Sequence, residues 1–116
     1  MRHRIAHNKL SRKPAHRNLM LRSMVTDLIR LESITTTSAR AKEVRRMAEK
    51  VITKAKHNTL HNRTQVGAII TDKSLMNKLF TEIAPRYENR PGGYTRITKQ
   101  SFRKGDAAEI SKLELV

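Results

Sequence analysis

Two features of this chain have the residue types and spacing that chemistry could use. One is the pair Gly92-Gly93 inside the run Arg90-Pro91-Gly92-Gly93-Tyr94-Thr95-Arg96-Ile97, and the other is His57 with His61. A glycine pair ahead of a strand can cradle a nucleotide phosphate, grip an RNA backbone, or simply turn the chain. The nucleotide-enzyme option fails on spacing: no Lys-Ser/Thr follows, and glycines at positions 67, 92, 93 and 105 cannot form G-x-G-x-x-G. His57 and His61 could share a helix face as zinc ligands, but Asn58 stands where the glutamate of H-E-x-x-H belongs. Solvated or phosphate-facing histidines are the expectation. No G-x-S-x-G elbow is present, and the ten Asp and Glu are dispersed with no obvious acidic pair. The sequence therefore predicts no catalytic residue, no metal site and no cofactor, and its methionines read as core filler or the initiator.

Composition points to a partner. Lys and Arg total 25 against 10 Asp and Glu, a formal net charge of +15, far beyond what solubility needs. A polyanion is expected, and nucleic acid fits best because its condensed counterions are released by a multivalent cationic surface. Cysteine is absent, which removes disulfide scaffolds and thiolate metal sites. No apolar run approaches the ~18 residues of a bilayer span. No hydrophobic segment follows the basic start as a secretory signal would require, so a soluble chain not exported by that route is expected.

The elements that must position these residues follow from periodicity. At 116 residues, one domain over 1–116 is expected, with an irregular basic arm at 1–13 ordered only against its partner. Pro14 suits a first helical turn, and Leu21, Met24, Val25, Leu28 and Ile29 keep helical spacing, which predicts a helix from Pro14 to Leu31. Ser33 to Thr37 reads as a brief strand. A basic amphipathic helix from Ala39 to about Lys56 carries Val44, Met47, Ala48, Val51, Ile52 and Ala55 on one stripe, with Thr37 or Ser38 as its cap. A third helix is expected near Leu60 to Ile70, weakened by Gly67, and a fourth is capped by Asp72 and closed by Pro85. Beyond it the pattern alternates. A strand begins at the glycine motif with Tyr94, Arg96 and Thr98 on one face, a hairpin turns at Gly105, and Ile110 to Val116 returns. The prediction is an α+β fold of about four helices packed with a small three-stranded sheet.

Candidate contacts follow from charge. Residues 1–26 carry seven Lys and Arg (Arg2, Arg4, Lys9, Arg12, Lys13, Arg17 and Arg22) with His3 and His16 among them and no acid to relieve the repulsion. In residues 86–104, Arg86, Arg90, Arg96, Lys99, Arg103 and Lys104 face only Glu88. Lys42, Arg45 and Arg46 on the second helix are further candidates. Trp is absent and aromatics number four, which excludes an aromatic-rich single-strand reader. Folded RNA read through phosphates and 2′-hydroxyls suits this surface better, with architectural DNA binding as the main rival and a small RNA-processing subunit as a third class.

Over nearly its whole length the chain resembles the bacterial-type large-subunit ribosomal protein family numbered seventeen. The resemblance rests on Met1-Arg2-His3, Leu10-x-Arg12 with His16-Arg17, Ile34-x-Thr36-Thr37 with Ala41-Lys42-Glu43, Leu79-Phe80, Pro85-Arg86-Tyr87, Gly92-Gly93-Tyr94-Thr95-Arg96, Gly105-Asp106 and Leu113-Glu114-Leu115-Val116. It implies a non-enzymatic protein that binds large-subunit rRNA near the nascent-chain tunnel exit beside other ribosomal proteins. On that resemblance Arg2, His3, Arg12, His16, Arg17, Gly92, Gly93, Tyr94 and Arg96 lie against rRNA. Neither DNA nor a second copy is an expected partner, and the compartment is the bacterial cytoplasm or, for an organellar member, the mitochondrial matrix.

Overall fold

A computed structural model describes His3 and residues 7–116. Helix α1 (Pro14–Leu31) leads into strand β1 (Ser33–Thr37) and then α2 (Ser38–Ala55). After α3 (Leu60–Gly67) comes α4 (Lys73–Lys78), which runs on through a π-helical turn at Leu79–Ile83 into a last helical turn at Ala84–Arg86. Strands β2 (Thr95–Phe102) and β3 (Glu109–Leu115) close the fold. The sheet is antiparallel with order β1-β3-β2, so the last strand lies in the middle.

The α+β layout and the predicted strands hold. Asp72 caps α4 as expected, its Oδ1 accepting the Ser74 and Leu75 N–H groups. Two local readings change. The side chains of Thr37 and Ser38 do not cap α2; the Ser38 hydroxyl instead meets Ser111 on β3 and fastens the helix start to the sheet. Helix α3 stops at Gly67, short of Ile70, and tightens there as the Ala68 and Ile69 N–H groups donate to the Gln65 and Val66 carbonyls three residues back.

Helix α2 is the inner element. Val44, Ala48, Val51, Ile52 and Ala55 are buried along one stripe, and α1 contributes Leu21, Val25, Leu28 and Ile29. Ile70, Leu79, Ile83 and Leu113 complete the core from the remaining elements. Pairing of Ile34 and Ile97 with Leu113 puts one row of the sheet against the helices. The opposite row, Arg96, Thr98, Lys112 and Glu114, forms the outer face.

Glu32 joins three elements at the end of α1. It closes the helix in the left-handed region (φ 63°), its carbonyl accepts the Leu115 N–H of β3, and its carboxylate pairs with Arg86 at 2.8 Å. The Arg86 hydrogen bond, aided by the charges of Arg86 and Lys78, outweighs desolvation and holds the Glu32 carboxyl below its ordinary 4.5. A depressed folded-state pKa contributes stability that is fully present above the unfolded value and lost as pH falls through the folded one. Thermal melts of wild type and Glu32→Gln should therefore differ at neutral pH and converge as pH drops below about 4.5; curves separated by a constant gap at every pH would show that the carboxylate contributes nothing.

Candidate nucleic-acid interface

The glycine corner is built by residues far from it in sequence. Glu49, in the second half of α2 and facing β2, accepts the backbone N–H of Tyr94 at 3.2 Å, the N–H of Thr95 at 3.1 Å and the Thr95 hydroxyl at 2.8 Å. Lys56, the residue that closes α2 directly after Ala55, donates to the Arg90 carbonyl at 2.6 Å and to the Tyr94 hydroxyl at 3.1 Å. The Tyr87 and Tyr94 rings pack with centroids 5.1 Å apart. Tyr87 donates its hydroxyl to the Val116 carbonyl, and the Val116 N–H donates to the Tyr94 carbonyl. The chain therefore leaves the α4 segment, turns at Arg90 to Gly93 and enters β2 on fixed hydrogen bonds.

This placement corrects the reading of Tyr94. Its ring is only 1 % exposed and supports the corner from inside, so it does not share an outward face with Arg96. The alternating pattern begins one residue later, at Thr95, and the aromatic before it falls into the core because Tyr87 and Lys56 receive it. Gly93 sits at φ 63°, a conformation that disfavours side chains, and a Cβ at either Gly92 or Gly93 would meet nothing within 4 Å. The outer side of the corner is open to an approaching group.

The remaining candidates divide by what they touch. Lys9, Lys13, Lys42, Arg45, Arg90 and Lys104 are exposed and make no side-chain hydrogen bond or ion pair with a described residue. Lys42, Arg45, Arg46 and Glu49 line one groove of about 510 Å³ on α2. Three arginines expected to contact the partner have internal carboxylates: Arg86 has Glu32, Arg96 has Glu114 at 3.9 Å, and Arg103 has Asp106 at 2.6 Å. Arg103 and the Ala108 N–H together hold the Asp106 carboxyl down to about 2. These pairs are exposed and leave part of each guanidinium facing water.

The N-terminal candidates divide as well. Arg2 and Arg4 lie outside the described residues, while His3 and His16 are exposed. Residues 7–13 are not free of the body: the Asn8 N–H donates to the buried Glu43 carboxylate, Leu10 packs on the core, and the Arg12 guanidinium donates to the Leu10 carbonyl. Arg17 corrects its expectation, being 8 % exposed, because it sits one turn before Leu21 on the inward stripe of α1. Arg22 is half-buried, with its Nε enclosed and unpartnered.

His57 and His61 do not share a helix face. His57 lies in the turn after α2, and His61 follows Thr59, whose hydroxyl caps α3. Among the described residues no group of three or more His, Asp or Glu is placed to hold a metal ion, and no helix is long and apolar enough to cross a membrane. Sequence reasoning missed Glu49 and Lys56, since nothing local marks a helix carboxylate or ammonium as the partner of a backbone some 34 to 46 residues away.

A small α+β body with exposed cations around a braced glycine corner has the make-up of a basic structural protein. The chain belongs to the ribosomal protein L17 family, whose profile matches residues 20–116. It is 58 % identical over 110 residues to the large ribosomal subunit protein bL17 of Clostridioides difficile, covering 95 % of this chain and 97 % of that one. The bL17 of Syntrophus aciditrophicus is 50 % identical over 116 residues, covering 100 % and 93 %. That of Treponema pallidum is 53 % identical over 116 residues, covering 100 % and 71 %. The protein is a structural, non-enzymatic component of the large ribosomal subunit.

Removing the Glu49 carboxylate leaves the Tyr94 and Thr95 N–H groups without their acceptor, and a lost partner of this kind costs roughly 1–3 kcal/mol. Glu49→Ala should lower stability by that order in urea unfolding and speed amide hydrogen exchange at Tyr94 and Thr95 specifically. Unchanged exchange at those two amides would show that the corner stands without Glu49.

Proposed function

We propose that this protein anchors large-subunit rRNA through phosphate contacts, beside other large-subunit proteins near the nascent-chain tunnel exit of a bacterial ribosome. The observation that carries the RNA reading is the set of unpaired cations Lys42, Arg45, Arg90 and Lys104, distributed along α2, the glycine corner and the β2–β3 hairpin. These segments adjoin: Glu49 of α2 binds the start of β2, and Ser38 at the other end of α2 binds β3 next to the hairpin tip. Cations carried at several separated points of one tied backbone suit a folded polyanion whose phosphates are spaced by its own structure. Placement near the tunnel exit and beside neighbouring proteins rests on family membership, and the bacterial cytoplasm on relatives that come from bacteria.

The direct test is sedimentation of a lysate with and without ribonuclease. Stoichiometric migration with large subunits, abolished by ribonuclease, is expected; migration with chromatin would replace the reading by DNA binding. For the isolated protein, each phosphate neutralised contributes roughly 0.7 to 0.9 to the slope of log K against log salt. The double variant Lys42→Ala, Arg45→Ala should bind rRNA fragments with a slope smaller by between about 1 and 2. A slope equal to wild type would remove the α2 groove from the interface.

At the corner, Gly93→Val should impair incorporation into subunits more than Lys73→Ala does. The φ of 63° strains a branched side chain there, whereas Lys73 lies in an ordinary helical turn. Equal incorporation of the two variants would show that the corner does not meet RNA.

A further inference from the structure

The four aromatic residues are not treated alike. Phe80, Tyr87 and Tyr94 are at most 6 % exposed, whereas Phe102 is 70 % exposed at the end of β2. Its side is set by the irregularity between Lys99 and Ser101, which shifts the register so that Phe102 stands opposite Glu109. Without it, the alternation that turns Ile97 inward would send residue 102 to the outer face. With it, the ring stands on the helical side of the sheet, and Lys42 of α2 lies close enough to influence Glu109.

The support beneath the ring is fixed. Arg103 binds Asp106 through two hydrogen bonds of 3.1 and 2.6 Å, the Arg103 N–H donates to the Ala108 carbonyl, and the Ala107 N–H donates back to the Arg103 carbonyl. Gly105 (φ 100°) and Ala107 (φ 56°) take the two left-handed positions that this tight connection requires. An aromatic ring held out by an ordered turn loses little freedom when it is covered.

We propose that Phe102 is a stacking platform for one unpaired nucleobase of the RNA, with Lys104 receiving an adjoining phosphate beside Lys99 and Arg103, whose heads are paired with Glu109 and Asp106. This deepens the rRNA-anchoring reading and rests on it. The neighbourhood selects a base over a protein side chain. The residues beside Phe102 in sequence and register are Gln100, Ser101, Arg103, Lys104 and Glu109, with only the part-buried Ala108 and Ile110 apolar at or beside the paired strand, which offers a protein partner little apolar surface to cover. A nucleobase needs only the π-face and the cations, and stacking tolerates any of the four bases. The platform also differs from phosphate anchoring in what it reads, since it requires a base freed from its helix.

The chain has no tryptophan, so Phe102→Trp installs a single tryptophan at the platform, whose emission is excited selectively over that of the two tyrosines. Titrated with large-subunit rRNA, the full-length variant should lose most of its emission and become several-fold less accessible to acrylamide. Inorganic polyphosphate, which has charge but no bases, should bind without quenching. Phe102→Ala should weaken rRNA binding roughly tenfold or more at fixed salt while keeping the salt slope. Phe102→Leu should be as weak as the alanine variant, because it keeps the apolar bulk and loses the π-face. Unchanged emission while rRNA binds with steep salt dependence would overturn the platform and leave the anchoring reading intact. Full binding by Phe102→Leu would overturn it in favour of a plain apolar contact with RNA or protein. Failure of the wild-type chain to bind rRNA would overturn both readings.

Discussion

A chain with 25 Lys and Arg and 10 Asp and Glu can close around one core only if its few carboxylates stand where they are needed. Eight of the ten do. Glu43, Glu49, Asp72 and Asp106 accept backbone N–H groups, while Asp27, Glu32, Glu109 and Glu114 meet cations. Glu49 matters most: an exposed ion pair is worth about 0–1 kcal/mol, whereas a carboxylate that satisfies part-buried amides prevents a loss of roughly 1–3 kcal/mol. Negative charge thus fastens helix starts, turns and neighbouring cations, and among the described residues Lys42, Arg45 and Lys104 make no side-chain hydrogen bond or ion pair.

Glu49 is the clearest of these joints. It makes the turn at Gly92-Gly93 part of α2, so the open side of the glycines, the groove at Lys42 and Arg45, and the β2 strand are held in one frame. Lys56 and the Tyr87–Tyr94 pair brace the same turn from beneath. The backbone that carries Arg90 and the glycine pair is thereby tied to α2. The two arginine–carboxylate pairs at Arg86 and Arg103 each fix a guanidinium near the surface while part of it still faces solvent.

The β2–β3 hairpin shows how one irregularity changes what a strand presents. Up to Lys99 the strand alternates between core and solvent; after the bulge the phase is reversed, and the last side chain before the turn is an exposed phenylalanine. The outer row of the sheet, with Arg96, Thr98, Lys112 and Glu114, is polar and carries both signs of charge.

Much of this was determined by the sequence alone. Pro14, the 3.6-residue stripes of α1 and α2, Asp72 and the period-two pattern after Pro85 specify local structure through short-range sterics and burial, which act within a few residues. Composition named a polyanionic partner, and the order of short motifs pointed to the family to which the chain belongs. Only the tertiary structure decided which side chains face out. Tyr94 and Arg17 are indistinguishable by type and spacing from surface contacts, yet Tyr87 with Lys56 draws the first inward and the α1 stripe carries the second. Phe102 reads as an ordinary strand aromatic until a single extra residue reverses its phase. Glu49 and Lys56 look like two more charges on a solvated helix until the corner folds onto them. For Tyr94, Glu49 and Lys56 the reason is shared: their roles depend on partners distant in the chain, and a one-dimensional pattern records periodicity but not what packs against it.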